Sequence, residues 1–283
     1  MNKQSLIFLS FLLCFAGILK GQTVSDSITI VSAQWKTVPV QKGIVHKSAI
    51  ISQLYGGSQS INIVEMDAKA ARIGIAVAKK GDVVSAVAPR LSAIAAMNGS
   101  YFDMKRGNST CFLKVNESVI DTTRASEWKI RVTGAIYERN GKMKIRPWSL
   151  QTEKKYKGKK GTVLASGPIM LKDGKMSDWS GCDQEFIDTK HPRSAVCIGK
   201  DGKIWFVTVD GRFPERAVGV NIPELAHLIR VLGGKEALNL DGGGSTTLWV
   251  NNAPENGVIN YPCDNSRFDH QGERRVANLL YMY

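Results

Sequence analysis

A glycine-rich stretch late in the chain brings a carboxylate, backbone N–H groups and hydroxyls to one point. Consecutive glycines allow positive φ and a close approach to a ligand, and successive N–H groups in such a turn can form a concave anion-binding nest. The stretch therefore predicts a site for a sugar or a phosphate, although a hairpin with a buried Asp capping its own turn is the alternative. It comprises Asn239, Leu240, Asp241, Gly242, Gly243, Gly244, Ser245, Thr246 and Thr247.

Two familiar phosphate-binding loops are excluded here. The stretch lacks the Lys of a Walker A loop, and no G-x-G-x-x-G leads into a helix. The following residues, 246–250, are β-branched and aromatic, which is typical of a strand. We therefore expect the loop to join two strands without a helix.

Three further segments place polar groups at the ends of apolar strands. Asn98, Gly99, Ser100 and Tyr101 follow one strand, Arg193 begins another, and Asp210-Gly211-Arg212 ends a third. Each segment alone is typical of an ordinary turn or a surface ion pair. Together with Asp241 and the late Arg274, they supply two carboxylates, several arginines and a glycine nest.

Elements that could hold these groups follow from the residue pattern. Residues 1–21 form a leader, residues 22–60 an N-terminal extension that adds strands, and residues 61–283 the main domain. Hairpins are predicted at Asn140-Gly141, Asp173-Gly174 and Asp201-Gly202. A helix is predicted from Pro223 to Leu232, capped by Asn221, with His227 exposed off its apolar stripe. The fold class is α+β, a mixed, largely antiparallel sheet with a few packed helices in one main domain.

The first residues are typical of a secretory signal peptide, because Lys3 precedes an apolar run that ends near Gly21. Cleavage there removes Lys3 and Lys20 and lowers the formal net charge from +13 to +11. We expect a secreted or periplasmic protein with no membrane segment after cleavage. The charge favours an anionic glycan or a phosphorylated sugar as partner. No recognition motif indicates nucleic acid, and the basic run 154–160 is expected to be a solvated loop.

Four cysteines remain after cleavage, and they permit either two disulfides or four separate thiols. They are Cys111, Cys182, Cys197 and Cys263. No spacing demands a metal, so no cofactor is expected. A divalent ion held by Asp103, Asp210 and Asp241 is the open alternative.

The motifs, in this order, resemble the phosphodiester glycosidase domain family, bacterial relatives of the mannose-6-phosphate uncovering enzyme that are often labelled exopolysaccharide-related. The resemblance covers about residues 60–283 and is carried by six elements. Two positions differ from the commoner family residues, with Ser194 for Thr and Tyr101 for Phe. The elements are Asn98-Gly99-Ser100-Tyr101-Phe102, Ser166-Gly167-Pro168, Arg193-Ser194-Ala195, Asp210-Gly211-Arg212, Asn239 to Ser245 and Arg274-Arg275-Val276.

The resemblance implies hydrolysis of a sugar-1-phosphodiester, such as a GlcNAc-1-phosphodiester, at the glycosidic C1–O bond. Asp241 is then expected as nucleophile or general base and Asp210 as the second carboxylate. The residues expected to bind substrate are Asn98, Ser100, Tyr101, Arg193, Arg212, Asn239, Gly242, Gly243, Gly244, Ser245, Thr246 and Arg274. The alternative is a non-catalytic protein that binds anionic carbohydrate or serves exopolysaccharide or envelope assembly.

Overall fold

The computed structural model describes residues 23–283, apart from the side chains of residues 79 and 80. The predicted signal peptide, residues 1–21, lies outside the described residues. The helices are α1 (Val24–Ser32), α2 (Val84–Val87), α3 (Ala125–Ile130), α4 (Leu150–Lys155), α5 (Gln184–Asp188) and α6 (Ile222–Val231), with 3-10 turns at Pro89–Leu91 and Gly243–Ser245.

The strands are short and numerous. In chain order they are β1 (Lys36–Gln41), β2 (Ile44–Leu54), β3 (Gly57–Met66), β4 (Ile73–Asp82), β5 (Ala95–Asn98), β6 (Phe102–Asp103), β7 (Asn108–Ser109), β8 (Leu113–Val115), β9 (Ser118–Asp121), β10 (Gly134–Arg139), β11 (Lys142–Pro147), β12 (Thr162–Ser166), β13 (Ile169–Lys172), β14 (Lys175–Met176), β15 (Arg193–Gly199), β16 (Ile204–Val209), β17 (Gly234–Asn239), β18 (Leu248–Val250) and β19 (Val276–Met282).

These strands form one large sheet and three smaller ones. The large sheet has the order β1-β2-β3-β16-β15-β17-β13-β14. The smaller sheets are β11-β10-β12-β8-β9, β18-β5-β19-β4 and the β6-β7 pair. The pairings within the large sheet are antiparallel. The predicted fold class, α+β with a largely antiparallel sheet and few helices, is confirmed.

The large sheet buries apolar side chains on both faces. On one face Cys197, Val207 and Ala237 pack with α6 and with Ile30 of α1. On the other face, Val196 and Phe206 pack against the two medium-sized sheets. Successive side chains of a strand point to opposite faces of the sheet. Because both faces are buried here, consecutive residues of the central strands are mostly hydrophobic. This packing fixes the strand ends that carry the polar motifs.

The predicted helix and hairpins are confirmed. The side chain of Asn221 accepts from the backbone N–H of Glu224 and the Glu224 carboxylate accepts from the backbone N–H of Asn221, so the two residues form a capping box. The turns at residues 140–141, 173–174 and 201–202 join β10 to β11, β13 to β14 and β15 to β16.

The prediction that His227 is exposed is wrong. The side chain is 2% exposed because α1 lies across it. Its ring contacts Ser27 Oγ at 3.0 Å and Tyr55 Oη at 2.7 Å. The four cysteines of residues 23–283 are unpaired thiols. No helix in that range is long and apolar enough to cross a bilayer.

Candidate active site

The polar motifs meet where strands of three sheets end. Asp241 follows β17, Arg193 begins β15, and Asn98 and Ser166 end β5 and β12. Backbone bonds join these ends: Leu240 N donates to Ser194 O at 2.9 Å, and Asp241 N donates to Gly99 O at 3.0 Å. The fold thus brings together residues that lie far apart in sequence.

Asp241 is the half-buried carboxylate at this junction. Its Oδ1 accepts from Gly242 N at 3.0 Å, and its carbonyl oxygen accepts from Asn98 Nδ2 at 2.7 Å. Burial raises the pKa of Asp241 above its ordinary value, while Ser245, Arg131 and Arg274 act to lower it. Desolvation therefore disfavours the charged carboxylate, whereas the two guanidinium groups favour it.

Arg274 lies against the glycine-rich loop together with Asp264. Its guanidinium bonds the Asp264 carboxylate, with Nε 3.2 Å from each oxygen. A Cβ at Gly244 would collide with the ends of both side chains, so a larger residue there would require Arg274 and Asp264 to shift. Arg274 is also close enough to Asp241 for that carboxylate to raise the pKa of Arg274, an effect that adds to the hydrogen bond from Asp264.

Arg212 lies on the other side of the loop. It is exposed and has no ion pair with a described residue, and its Nη1 lies 3.8 Å from Cys263 Sγ. A Cβ on Gly243 would lie 3.0 Å from Arg212 Nη2. Arg212 itself has φ +68°, a left-handed conformation that is uncommon outside glycine. Strain of this kind is typical of residues held in place at functional sites.

The loop does not form the predicted open anion nest. The N–H groups of Gly243, Ser245 and Thr246 donate to Pro192 O, Gly242 O and Gly243 O. The loop joins β17 to β18, as expected, and residues 243–245 within it form one 3-10 turn. Among the described residues the Gly244 N–H has no acceptor, so it is the donor that this turn leaves free.

Three hydroxyls behind the loop are buried without ordinary partners. Ser245, Thr246 and Thr247 are at most 1% exposed, and none of their side-chain oxygens has a hydrogen-bond partner among the described residues. The Ser245 hydroxyl lies close enough to Asp241 to help lower its pKa, although it makes no hydrogen bond of ordinary geometry. Buried polar atoms of this kind cost free energy, which a bound ligand or water can relieve.

The predicted sugar-binding group Asn98 is instead fully buried. Its Oδ1 accepts from Ser194 Oγ at 2.7 Å and from Thr247 N at 3.1 Å, and its Nδ2 donates to the Asp241 carbonyl. The oxygen and the nitrogen of this amide both form their hydrogen bonds within the protein. Asn98 therefore positions the loop and does not contact substrate directly.

Ser100, Tyr101 and Asn239 are likewise buried in a supporting layer. Ser100 Oγ donates to Ala165 O at 2.6 Å, and Tyr101 Oη donates to Gly167 O at 2.6 Å. Asn239 Nδ2 donates to Tyr101 Oη at 2.7 Å. A phenylalanine, commoner at position 101 in the family, could make neither bond of this hydroxyl.

Arg193, predicted to clamp substrate, is 2% exposed. Its guanidinium donates to backbone carbonyls of Val220, Phe186 and Thr189 at 2.8–3.2 Å. Burial lowers the pKa of Arg193 to about 10, so it stays charged at neutral pH. It therefore contributes positive charge behind Asp241 and holds neighbouring loops together.

Comparison with known proteins decides the family. The family model described as phosphodiester glycosidase matches residues 91–283. The chain belongs to the phosphodiester glycosidase family.

Two curated relatives are both named N-acetylglucosamine-1-phosphodiester alpha-N-acetylglucosaminidase. The mouse protein is 32% identical over 85 residues, which cover 30% of this chain and 15% of the relative. The bovine protein is 25% identical over 127 residues, 43% of this chain and 23% of the relative. The chain thus matches less than a quarter of either.

Solved structures share the fold of this chain. The zebrafish N-acetylglucosamine-1-phosphodiester alpha-N-acetylglucosaminidase catalytic domain, auto-inhibited by its pro-peptide, has a TM-score of 0.65 at 18% identity, with 88% of this chain and 87% of that chain covered. A hypothetical protein from Synechocystis has a TM-score of 0.66 at 15% identity, with 88% and 63% covered. At these identities the likeness shows the fold alone.

Asp210 does not lie open to a substrate. It is 0% exposed, and its carboxylate accepts from Ser60 Oγ at 2.7 Å, Asn260 Nδ2 at 2.9 Å and Tyr261 N at 2.9 Å. Burial raises the pKa of Asp210, and these three donors oppose the rise. The geometry makes Asp210 a clamp between β16, β3 and the segment after β18, so the expected second catalytic carboxylate is buried.

Arg131 is a site residue that the sequence reasoning missed. Its guanidinium carbon lies 3.6 Å from the centre of the Tyr101 ring, and Nε and Nη2 bond the Glu127 carboxylate at 2.8 and 3.1 Å. It is close enough to help lower the pKa of Asp241. Arg131 follows α3 in a segment without a motif, so only the tertiary fold reveals its position.

Neither a cluster of metal-ligand side chains nor a large cleft is found at Asp241 among the described residues. Within residues 23–283, no three His, Cys, Asp or Glu side chains gather as metal ligands would. Asp103, the third member of the conceivable ion site, pairs with Arg124 at 2.9 Å. A groove of about 830 Å³ lies apart from Asp241, between the first three strands and residues 250–261, and His46, Tyr261 and His270 help to line it.

Proposed function

We propose that this protein hydrolyses a sugar-1-phosphodiester, of the GlcNAc-1-phosphodiester type, at the glycosidic C1–O bond. Family membership and the names of the mouse and bovine relatives support the reaction class. One structural observation carries the proposal: Asp241 is half-buried beside Arg131 and Arg274, at a loop whose glycines let arginines approach. A carboxylate and several cations are what the two halves of such a substrate require.

Asp241 serves the sugar half in this proposal. Cleavage at C1 passes through an oxocarbenium-like state, which a carboxylate can attack or which it can stabilise while activating water. Burial favours the neutral acid, whereas Arg131 and Arg274 favour the charged form that either role requires. The arginines thus keep a desolvated carboxylate available for the reaction.

Arg212 and Arg274, which lie against the glycine-rich loop, bind the phosphate half of the substrate. The departing group is a phosphate monoester that leaves already anionic, so it needs cationic donors more than a general acid. Arg212 is exposed and has no ion pair within residues 23–283, and a guanidinium can bind two phosphate oxygens at once. Arg274 and the free Gly244 N–H complete the donor set. The second carboxylate near the loop is that of Asp264, which is paired with Arg274, and not that of the buried Asp210.

The experiment is hydrolysis of a GlcNAc-1-phosphomethyl diester and of UDP-GlcNAc by the purified protein, beside Asp241→Asn. Asp173→Asn is the matched control, because Asp173 is exposed in a hairpin turn where Asn is equally suited. We expect free sugar from the parent and the control and none from Asp241→Asn. If a folded parent binds both diesters but releases no sugar, the protein is an anionic-carbohydrate-binding member of the family.

A further inference from the structure

A second charged feature lies in the sheet formed by β11, β10, β12, β8 and β9. A groove of about 640 Å³ runs between the β10–β11 hairpin and the segment 156–160. We call it the basic groove, and its six cations are Arg139, Lys142, Lys144, Arg146, Lys159 and Lys160.

One wall of the basic groove is the edge strand β11. Its burial pattern alternates, with Lys142, Lys144 and Arg146 exposed and Met143 and Ile145 buried in the core. Alternate side chains on one face of a strand stand about 6.6–6.8 Å apart. The three cations therefore form an evenly spaced row along the groove.

The opposite wall is a lysine-bearing loop with an anchored backbone. Lys114 is 3% exposed, and its ammonium group donates to the carbonyls of Asn116, Lys159 and Gly161, the last two at 3.0 and 3.1 Å. A buried ammonium that satisfies several carbonyls fixes the loop that carries Lys159 and Lys160. The lysines of the run 154–160 are exposed, as expected of a solvated loop, and two of them, Lys159 and Lys160, line the groove together with the cations of β11.

Half-buried tyrosines line the groove between these walls. The Tyr137 and Tyr156 rings are 6.1 Å apart in an edge-to-face arrangement, and the Arg146 guanidinium carbon lies 5.6 Å from the Tyr137 ring centre. Aromatic rings with polar hydroxyls provide apolar contact and hydrogen bonds together. Such a surface suits sugar rings.

The positive charge of the groove is not neutralised within the protein. None of its six cations forms an ion pair with a described acid, whereas other lysines of residues 23–283, such as Lys47 and Lys203, do. Glu138 is the one acid among the described lining residues, so six cations against one carboxylate leave a formal net charge of +5 in the groove. Lysines on an edge strand deter strand pairing with another molecule. That role does not explain the lysines on the facing loop.

We infer that the basic groove binds an anionic polysaccharide. A row of three cations on β11, with Lys159 and Lys160 on the other wall, matches a polymer with repeated negative charges, and the tyrosines suit sugar rings. The groove is concave, so a flat bilayer surface does not reach its floor. Its volume accommodates a few sugar residues and excludes a nucleic-acid duplex.

The basic groove is separate from the candidate active site. Strand β12 runs from Thr162, which lines the groove, to Ser166, whose Oγ donates to Asn239 O at 2.9 Å at the start of the glycine-rich loop. Four residue steps of a strand span about 13 Å. The inference therefore concerns binding of a polymer away from the reacting bond, and it does not depend on catalysis.

The test measures binding of polygalacturonate to the full protein and to Lys142→Gln/Lys144→Gln/Arg146→Gln. The control, Lys172→Gln/Lys175→Gln/Lys200→Gln, removes three exposed lysines elsewhere and changes the net charge equally. We expect binding that weakens with salt, a Kd at least about tenfold higher for the groove variant, and a change below about twofold for the control. All six side chains are exposed, so unchanged melting temperatures should accompany both variants.

Three outcomes would overturn the inference. The first is no binding of polygalacturonate by the parent protein, and the second is equal weakening by the two triple variants, which would mean that net charge alone attracts the polymer. The third is binding of single-stranded poly-dT or of anionic vesicles that is tighter and more dependent on the groove residues. Neutral dextran, which lacks charge, should not bind.

Discussion

Asn98 Nδ2 donates a 2.7 Å hydrogen bond to the backbone carbonyl of Asp241, a residue 143 positions later in the chain. The same amide accepts from Ser194 and from the N–H of Thr247. One buried side chain thus ties β5 and β15 to the start and the end of the glycine-rich loop. The position of the Asp241 carboxylate depends on this contact.

Removing the Asn98 amide should therefore impair both stability and turnover. Asn98→Ala leaves three buried groups unpaired, and we expect the free energy of unfolding to fall by at least about 1–3 kcal/mol. A displaced loop should lower kcat about a hundredfold with a smaller change in KM. Urea unfolding and steady-state kinetics measure both, with exposed Asn265→Ala as control. A large rise in KM at unchanged kcat would instead indicate that Asn98 contacts the sugar.

Neutralising Asp241 should stabilise the protein while abolishing activity. Burial raises the pKa of Asp241 in the folded state. A group with a raised folded pKa favours folding when protonated, and that stability is lost as the pH rises through the folded pKa. Asp241→Asn should thus be more stable than the parent at neutral pH and equal to it in acid, as urea unfolding at the two pH values would reveal. Lower stability of the variant at neutral pH would contradict this desolvated environment.

Arg131 should set the acid limb of the pH–rate profile. Burial raises the pKa of Asp241 and the positive charge of Arg131 opposes this, so Arg131→Met should move the limb of kcat/KM to higher pH. Arg131→Lys keeps the charge and should leave the limb near its original position, as should Arg90→Met at an exposed site. An unshifted limb in Arg131→Met would show that the two groups do not interact.

Arg212 should matter for turnover and little for folding. Arg212→Met removes an exposed cation without an ion pair among the described residues, so the melting temperature should stay within about 2 °C. Loss of one donor to the departing phosphate should lower kcat/KM about a hundredfold. Arg216→Met, which removes another exposed arginine close in sequence, is the control. Equal losses in both variants would point to long-range attraction of the substrate.

Asp210→Asn distinguishes a structural carboxylate from a catalytic one. The amide turns one acceptor into a donor that faces Ser60, Asn260 or Tyr261, and we expect about 1–3 kcal/mol of lost stability. The protein that remains folded at low temperature should retain most of the parent kcat. A loss of kcat as deep as that of Asp241→Asn would restore Asp210 to the reaction.

Glycine and capping patterns made much of the fold readable from the sequence. Helix α6 was predictable because Asn221, Pro223 and Gly233 mark its ends, and three turns were predictable from Asn-Gly and Asp-Gly pairs. The loop at Asp241 was predictable as a site because three consecutive glycines allow positive φ and a close approach to a ligand. These signals depend on a few neighbouring residues, so they can be recognised without knowledge of tertiary contacts.

The direction of side chains at strand ends could not be predicted. Asn98, Arg193 and Asp210 lie at predicted strand ends, yet all three are buried and their polar groups bond other parts of the protein. Arg131 has no local signal, because its place over the Tyr101 ring is a contact between residues 30 positions apart in the sequence. The burial of His227 likewise depends on α1, whose contacts span 200 residues of sequence.

The bond that breaks is the most direct test of the proposed reaction. Hydrolysis of a GlcNAc-1-phosphomethyl diester in ¹⁸O-labelled water can be followed by mass spectrometry of the released methyl phosphate, which does not exchange its oxygen under mild conditions. Attack at C1 by Asp241 or by water leaves the methyl phosphate unlabelled and delivers the water oxygen to the sugar. Labelled methyl phosphate would mean P–O cleavage and would contradict a glycosidase mechanism at Asp241.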